Sequence, residues 1–193
     1  DLPNFVKELK GLPFTGFIGL NTLFNALCNR DDFKQLDFSK LKLTISGGMA
    51  LTKAAAQRWE ETTGCPIAEG YGLTETSPVI SVNDMRNFQM KIGSVGPLLD
   101  DVEVKIAKDG EILCKGPNIM IGYYKDEEKT NEVIKNGYFH TGDIGQIDAD
   151  GFLKITDRKK AMFKTSGGKY IAPQVIENAM KQSLLIEQIM VIG

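Results

Sequence analysis

This chain has little that would suit a disulfide framework, a metal centre or a polyanion partner. It holds three cysteines, one histidine and one tryptophan in 193 residues. Cys28, Cys65 and Cys114 are odd in number and far apart, which fits neither a stapled secreted fold nor a zinc site. Reduced thiols in a cytosolic protein are the default. His140 is chemically able to act as a general base, but no Ser or Cys partner accompanies it, so a structural place in its motif is expected. The formal net charge is −2, which gives no electrostatic footprint for nucleic acid. No apolar run approaches the length of a membrane span, and no signal peptide is visible. No internal repeat or low-complexity segment occurs either. At 42% hydrophobic and 25% charged, the chain is ordinary globular material, able to bury a core as one domain or one domain plus a piece. It begins at Asp1 without Met, as an excised piece or a processed chain would.

The first part alternates between helix and strand patterns. Residues 4–10 read as a helix ended by Gly11 and Pro13, and 14–18 as a short apolar strand. Residues 21–29 are helical, with Leu23, Phe24 and Leu27 on one face. A second strand is expected at 41–45. Thr52 can cap a helix running to Thr63, which Gly64 and Pro66 stop. A third strand follows at 67–69. Such alternation argues for an α/β layer with parallel strands, whose ligands bind in the loops after the strands. Trp59 and Phe24 fall at core positions.

The middle part changes to period two. Val102, Val104 and Ile106 alternate with polar residues, Asp109-Gly110 turns the chain, and Ile112 and Cys114 continue the alternation. Asp150-Gly151 predicts a second hairpin between 143–147 and 152–156. Asp126 opens a short helix with Glu127 and Glu128 in its first turn. These elements suggest a small barrel or antiparallel subdomain. Gly167-Gly168 predicts a third turn with arms at 163–166 and 170–171. Pro173 suits the first turn of a helix, and 189–192 reads as a buried strand.

The densest chemistry lies in Glu69-Gly70-Tyr71-Gly72-Leu73-Thr74-Glu75-Thr76. Tyr71 offers a flat face for a purine, and the glycines beside it let that ring lie against a ligand. Thr74 can donate to a phosphate oxygen. Glu75 is a hard oxygen ligand for Mg²⁺, which often takes one or two carboxylates plus phosphates. The same residues also read as a Gly-rich turn between strands. Gly47 and Gly48, between a strand and a helix, either present N–H groups to a ligand or form a tight turn. Asp143 either reads ribose hydroxyls or organises its own turn. Arg158 either donates through its planar fork or is a solvated charge in a basic run. Gly167-Gly168-Lys169 fails as the end of a Walker loop, because Phe163 stands where the first glycine belongs and Tyr170 where Ser or Thr should be.

Taken together, these segments resemble the adenylate-forming (AMP-binding) superfamily. Residues 69–76 resemble its Tyr-Gly-Leu-Thr-Glu motif, and Ser46-Gly47-Gly48-Met49 its upstream Gly-Gly loop. Tyr138-Phe139-His140-Thr141-Gly142-Asp143 resembles its ribose motif. Asp157-Arg158-Lys159-Lys160 through Gly167-Gly168-Lys169 resembles its hinge and the hairpin after it. Four motifs in the family's order make the resemblance specific, and it covers essentially the whole chain. Residues 19–27 are worded most like bacterial long-chain fatty acid–CoA ligases, whereas 164–170 resemble another branch of long-chain ligases. The connection at 107–111 is shorter than in many relatives.

The resemblance implies a partial acyl-CoA synthetase-like α/β fold. An α/β layer of the large domain would occupy 1–92, a small antiparallel β-barrel subdomain 93–157, and the start of a truncated α+β C-terminal domain 158–193. It implies ATP, Mg²⁺ and coenzyme A, with a fatty acid as the acid activated to acyl-AMP and then acyl-CoA. Gly47 and Gly48 would lie against adenine and acyl group, and Glu69, Gly70, Tyr71 and Gly72 would line the nucleotide site. Thr74 and Glu75 would act at the phosphates, with Glu75 on the metal. Asp143 would take the ribose, and Arg158 the ribose and phosphate. Lys160 would sit at the hinge between half-reactions. Gly167 and Gly168 would border the path of the CoA pantetheine arm, with Lys164 either pointing in or solvent-exposed.

A Ser/Thr/Gly-rich phosphate loop is not found before the first helix, and the family's bridging lysine would fall beyond Gly193. The expectation is therefore an internal fragment, inactive alone. Its parent would be cytoplasmic, with peripheral association at the inner face of the membrane left open, as is the oligomeric state. The alternatives are another adenylate-forming ligase, such as an aryl-acid ligase or adenylation domain, and a non-catalytic nucleotide-binding or interaction module.

Overall fold

The computed structural model describes residues 1–83, 90–164, 169–181, 183, 185, 186 and 188–192. In its first part, α1 (Leu2–Leu9), β1 (Gly16–Gly19), α2 (Asn21–Cys28), the short α3 (Asp31–Lys34), β2 (Leu43–Ser46), α4 (Lys53–Thr63), β3 (Ile67–Gly72) and β4 (Val79–Val82) follow in order. The local rules act as written in the sequence. Asp1 caps α1 by accepting the Asn4 N–H at 3.0 Å. Thr52 caps α4 through the Ala55 N–H at 3.2 Å, and Gly64 ends it with φ +73°.

Strands β1, β2 and β3 are parallel, as expected. A fourth strand, β4, was not expected and runs antiparallel to β3, pairing Gly70 with Val82 and Tyr71 with Ser81. The layer is therefore a mixed four-stranded sheet in the order β1-β2-β3-β4. Its main core gathers round Trp59, which is fully buried with ring centroids 4.9 Å from Phe17, 4.8 Å from Phe24 and 5.6 Å from Phe33. The indole N–H donates to Thr44 Oγ1 at 3.1 Å, so burying it leaves no orphan donor. Each of these large side chains contributes about 1.5–3 kcal/mol by leaving water.

The second part comprises β5 (Glu103–Ile106), β6 (Glu111–Lys115), α5 (Glu127–Val133), β7 (Ile134–Lys135), β8 (Tyr138–Ile147) and β9 (Leu153–Arg158). The strands form an antiparallel half-barrel in the order β5-β6-β8-β7, with β9 on the far half of β8. The Asp109-Gly110 and Asp150-Gly151 turns fall where the sequence placed them, with Gly110 at φ +86° and Gly151 at φ +85°. Ile112, Cys114, Phe139 and Leu153 form a second core that also takes in Ile80 of β4. The unexpected strand thus belongs to one sheet by hydrogen bonds and to the other by packing. A bridge between Ser81 and Leu98 continues the join.

The last part has β10 (Phe163–Lys164) paired with β11 (Tyr170–Ile171), then α6 (Pro173–Met180) with proline in its first turn. The turn expected at Gly167-Gly168 lies outside the described residues. The buried strand expected at 189–192 is corrected. Met190 is 76% and Ile192 79% exposed, and neither belongs to a strand. The Val191 N–H is taken by the Glu177 carboxylate at 2.9 Å instead of a neighbouring strand. No helix among the described residues is long and apolar enough to cross a membrane.

Candidate functional site

A pocket of about 800 Å³ opens beyond the carboxyl ends of β2 and β3, bounded on its other sides by β8, β9 and α6. Both position and size suit a ligand site of an α/β protein. Its wall brings together Gly48, Glu69, Gly70, Tyr71, Gly72, Thr74, Glu75, Asp143 and Arg158, although 72 residues separate Tyr71 from Asp143. From α6 come Gln174, Glu177, Asn178 and Lys181, which sequence reasoning did not single out. Gly47 and Lys160 are not on the wall. Lys160 is exposed in the turn after β9.

Asp143 is the best-held acidic group of the site. Its carboxylate accepts the Tyr71 hydroxyl at 2.7 Å and faces Arg158 Nε at 3.1 Å, with only 5% of its side chain exposed. Arg158 stands opposite Asp143 in the β8–β9 register, which brings the two charges together, while its own side chain is 64% exposed at the rim. Burial pushes the Asp143 carboxyl above its ordinary value, the Tyr71 hydroxyl and Arg158 pull it down, and Glu111 adds to the rise. Burial, then the charge of Asp143, pushes the Tyr71 phenol far up, so it stays a neutral donor.

Glu69 lines the pocket and has both carboxylate oxygens engaged by backbone donors. One oxygen accepts the Leu51 N–H at 3.0 Å and the other the Gly93 N–H at 3.3 Å. It ties two walls of the pocket together, and burial raises its pKa against the lowering effect of those two donors. Gly72 likewise answers to packing. A Cβ there would lie 1.6 Å from the Pro78 carbonyl oxygen, so the β3–β4 hairpin itself requires glycine. At Gly70 the nearest atom would be 3.5 Å away, an ordinary contact. Gly48 has φ +82°, the left-handed conformation that glycine adopts at no cost.

Thr74 and Glu75 open a single 3₁₀ turn, Thr74–Thr76. The buried Thr76 hydroxyl fixes that turn by accepting the Leu73 N–H at 2.9 Å and donating to the Pro78 carbonyl at 2.6 Å. Thr74 is exposed at the pocket edge. Glu75 Oε1 accepts the Tyr123 hydroxyl at 2.9 Å, and its carbonyl accepts the Met120 N–H at 2.8 Å. Burial and this carboxylate raise the Tyr123 phenol. Tyr123 escaped the sequence reading because nothing in its local pattern ties it to a residue 48 positions away. No group of three His, Cys, Asp or Glu side chains able to hold a metal occurs among the described residues. A single carboxylate such as Glu75 nevertheless fits a Mg²⁺ ion that arrives with phosphate oxygens, because that ion commonly keeps only one or two protein ligands.

Behind Asp143 lies a second cluster that the sequence did not reveal. Glu111 is 5% exposed and receives Lys159 Nζ at 2.8 Å, with His140 Nδ1 3.1 Å away. Lys159 also pairs with Asp109 at 2.7 Å. Strand alternation through Ile112 and Cys114 puts residue 111 on the outer face, and only the irregular pairing of β6 with β8 brings it in. His140 thus has one ring nitrogen engaged by Glu111.

Residues 1–124 match the family model described as AMP-binding enzyme. The chain is 43% identical over its full length to the long-chain-fatty-acid–CoA ligase of Salmonella typhimurium, and 44% to that of Yersinia pestis. It spans 36% of the length of each, about a third of these curated relatives. Among solved structures, it is similar to the anthranilate CoA ligase AuaEII in complex with anthranoyl-AMP. That match has a TM-score of 0.86 at 26% identity and covers 96% of this chain and 37% of the other. It is also similar to the O-succinylbenzoate coenzyme A synthetase MenE of Bacillus subtilis in complex with ATP and magnesium ion. There the TM-score is 0.77 at 25% identity, covering 93% of this chain and 39% of that one.

Proposed function

Because the chain belongs to the AMP-binding enzyme family, we propose that its parent is an AMP-forming long-chain fatty acid–CoA ligase and that the pocket holds the ATP. The observation that carries this reading is the convergence of Tyr71, Asp143, Arg158, Thr74 and Glu75 on one pocket from separate segments of the chain. The identity to long-chain-fatty-acid–CoA ligases supports the choice of acid.

In this reading the acid carboxylate attacks the ATP α-phosphate, giving acyl-adenylate and pyrophosphate, and the CoA thiol then displaces AMP. Tyr71 lays its ring against adenine while its hydroxyl holds Asp143. The Asp143 carboxylate accepts the ribose hydroxyls on lone pairs left over from Tyr71 and Arg158. Arg158, half-free at the rim, donates to ribose and phosphate. Thr74 donates to a phosphate oxygen. Glu75 holds Mg²⁺ together with the phosphates, and the ion supplies neutralisation of their charge. Gly48 brings backbone close to the ligand, and Gly47 completes that loop. Lys160 serves as the hinge. The parent is read as cytoplasmic, working at the inner face of the membrane where its substrate partitions.

The test is ATP–pyrophosphate exchange by the full-length parent over a panel of acids. Exchange with palmitate and none with benzoate or anthranilate is expected. Exchange driven only by aryl acids would move the protein to another branch of the family. Glu75→Ala is expected to cut kcat by about a hundredfold, the scale of losing one charge-stabilising group at a reacting phosphate. The 193-residue chain alone is expected to give no exchange.

A further inference from the structure

Glu111 is absent from the pocket wall, yet its carboxylate touches the chain neighbours of two charged residues on it, Asp143 and Arg158. One oxygen accepts the Gly142 N–H at 3.1 Å. The other takes Lys159 Nζ at 2.8 Å and lies 3.1 Å from His140 Nδ1. Lys159 closes the circuit, because its backbone N–H donates to the Gly142 carbonyl at 2.8 Å. Both polar groups of the Gly142 backbone are thereby gripped, one by a side chain of β6 and the other by the backbone just after β9. Gly142 precedes Asp143, and Lys159 follows Arg158.

The local backbone needs such a grip. Between the pairs Glu111–Ile144 and Leu113–His140, β6 advances two residues while β8 takes four. The excess is bulged out at Thr141-Gly142-Asp143, and a bulge re-aims the side chains it carries. Gly142 sits at φ +74° within it. The Thr141 hydroxyl braces the same bulge, donating to the Ile112 carbonyl at 2.8 Å and accepting the Asp143 N–H at 3.1 Å. Burial would push the Glu111 carboxyl up, but Lys159, His140 and the Gly142 N–H outweigh it and hold it below the usual range. It is therefore a carboxylate at neutral pH, where a charge-assisted bond to a backbone N–H is strong.

We propose that Glu111 is a positioning residue, which sets the Gly142 bulge and through Lys159 the facing strand, and so aims the Asp143–Arg158 pair at the ribose. This rests on the assignment of Asp143 to the ribose hydroxyls. Glu111 does not touch the nucleotide. Its effect is read in how well the ribose hydroxyls are recognised.

The experiment compares kcat/KM in pyrophosphate exchange for ATP and for the dideoxy analogue that lacks both ribose hydroxyls. It uses the full-length parent and its Asp143→Ala, Glu111→Ala and Glu111→Gln variants. Wild type is expected to prefer ATP, and Asp143→Ala to abolish the preference. Glu111→Ala is expected to reduce it about tenfold, the value of one charge-assisted hydrogen bond no longer aligned. Glu111→Gln keeps an oxygen for the Gly142 N–H but loses the ion pair, and should fall between. A residue that merely stabilises the sheet would lower the melting temperature and leave the ratio untouched. If Asp143→Ala loses the preference while both Glu111 variants retain it, the inference is overturned and the ribose assignment stands. If Asp143→Ala retains it, the ribose assignment fails and the inference with it. Should Glu111→Ala not fold, the ratio for Glu111→Gln decides alone.

Discussion

Glu69 and Asp143 are carboxylates held inside the protein by donors too few to cancel the cost of burial. Both bind a proton more readily in the native state than in the unfolded chain. Such a group contributes stability fully below the unfolded pKa, and loses it as pH rises through the higher folded value. For Glu69 the loss begins near the unfolded value of about 4.3 and runs upward. Glu69→Gln removes the titration and keeps an acceptor, so urea-unfolding free energies should fall less for the variant than for wild type from about pH 4 to about pH 7. Equal pH slopes would show that Glu69 is not desolvated as described. At Asp143 the sign bears on binding, since the charged form accepts hydroxyls. Tyr71→Phe deletes a donor that pulls this carboxyl down, so the acid limb of kcat/KM for ATP should move to higher pH. An unmoved limb would contradict the Tyr71–Asp143 bond as a determinant of that ionisation.

At the scale of elements, the β3–β4 hairpin explains why one motif glycine is required and its neighbour is not. Gly72→Ala should destabilise by more than about 3 kcal/mol, since the Pro78 backbone cannot give way as a side chain would. Gly70→Ala should cost within about 1 kcal/mol. Equal melting temperatures for the two would refute the close approach. Elements marked by caps and Asp-Gly turns were legible in the sequence because their signals are local. Thr52, Gly64, Gly110 and Gly151 all act within a few residues of themselves. Strand β4 was not legible, because four residues carry no period of their own and become a strand only by folding back on β3. The apolar run at 189–192 misled for the same reason, since a strand exists only beside a partner. The motif residues that line the pocket were picked out by resemblance. Tyr123 and Glu111 were not, because pairings across 48 and 31 positions arise only when the sheets assemble.

Among the described residues the two larger sheets are joined along β4, with a pocket opening where loops of the first meet strands of the second. Tyr71 comes from one sheet and Asp143 from the other, so the hydrogen bond between them reports that the halves are docked. This also explains why single motifs were ambiguous and their combination was not. A Gly-Tyr-Gly turn and a lone aspartate each have ordinary structural readings, but a nucleotide site needs both within reach of one ligand. The most direct test is the dissociation constant of ATP with Mg²⁺ for the full-length parent and its Asp143→Ala variant, measured by titration calorimetry. Binding weakened by about tenfold or more is predicted, the value of one hydrogen bond to a charged group. Undiminished affinity in the variant would contradict the assignment of this pocket to the nucleotide.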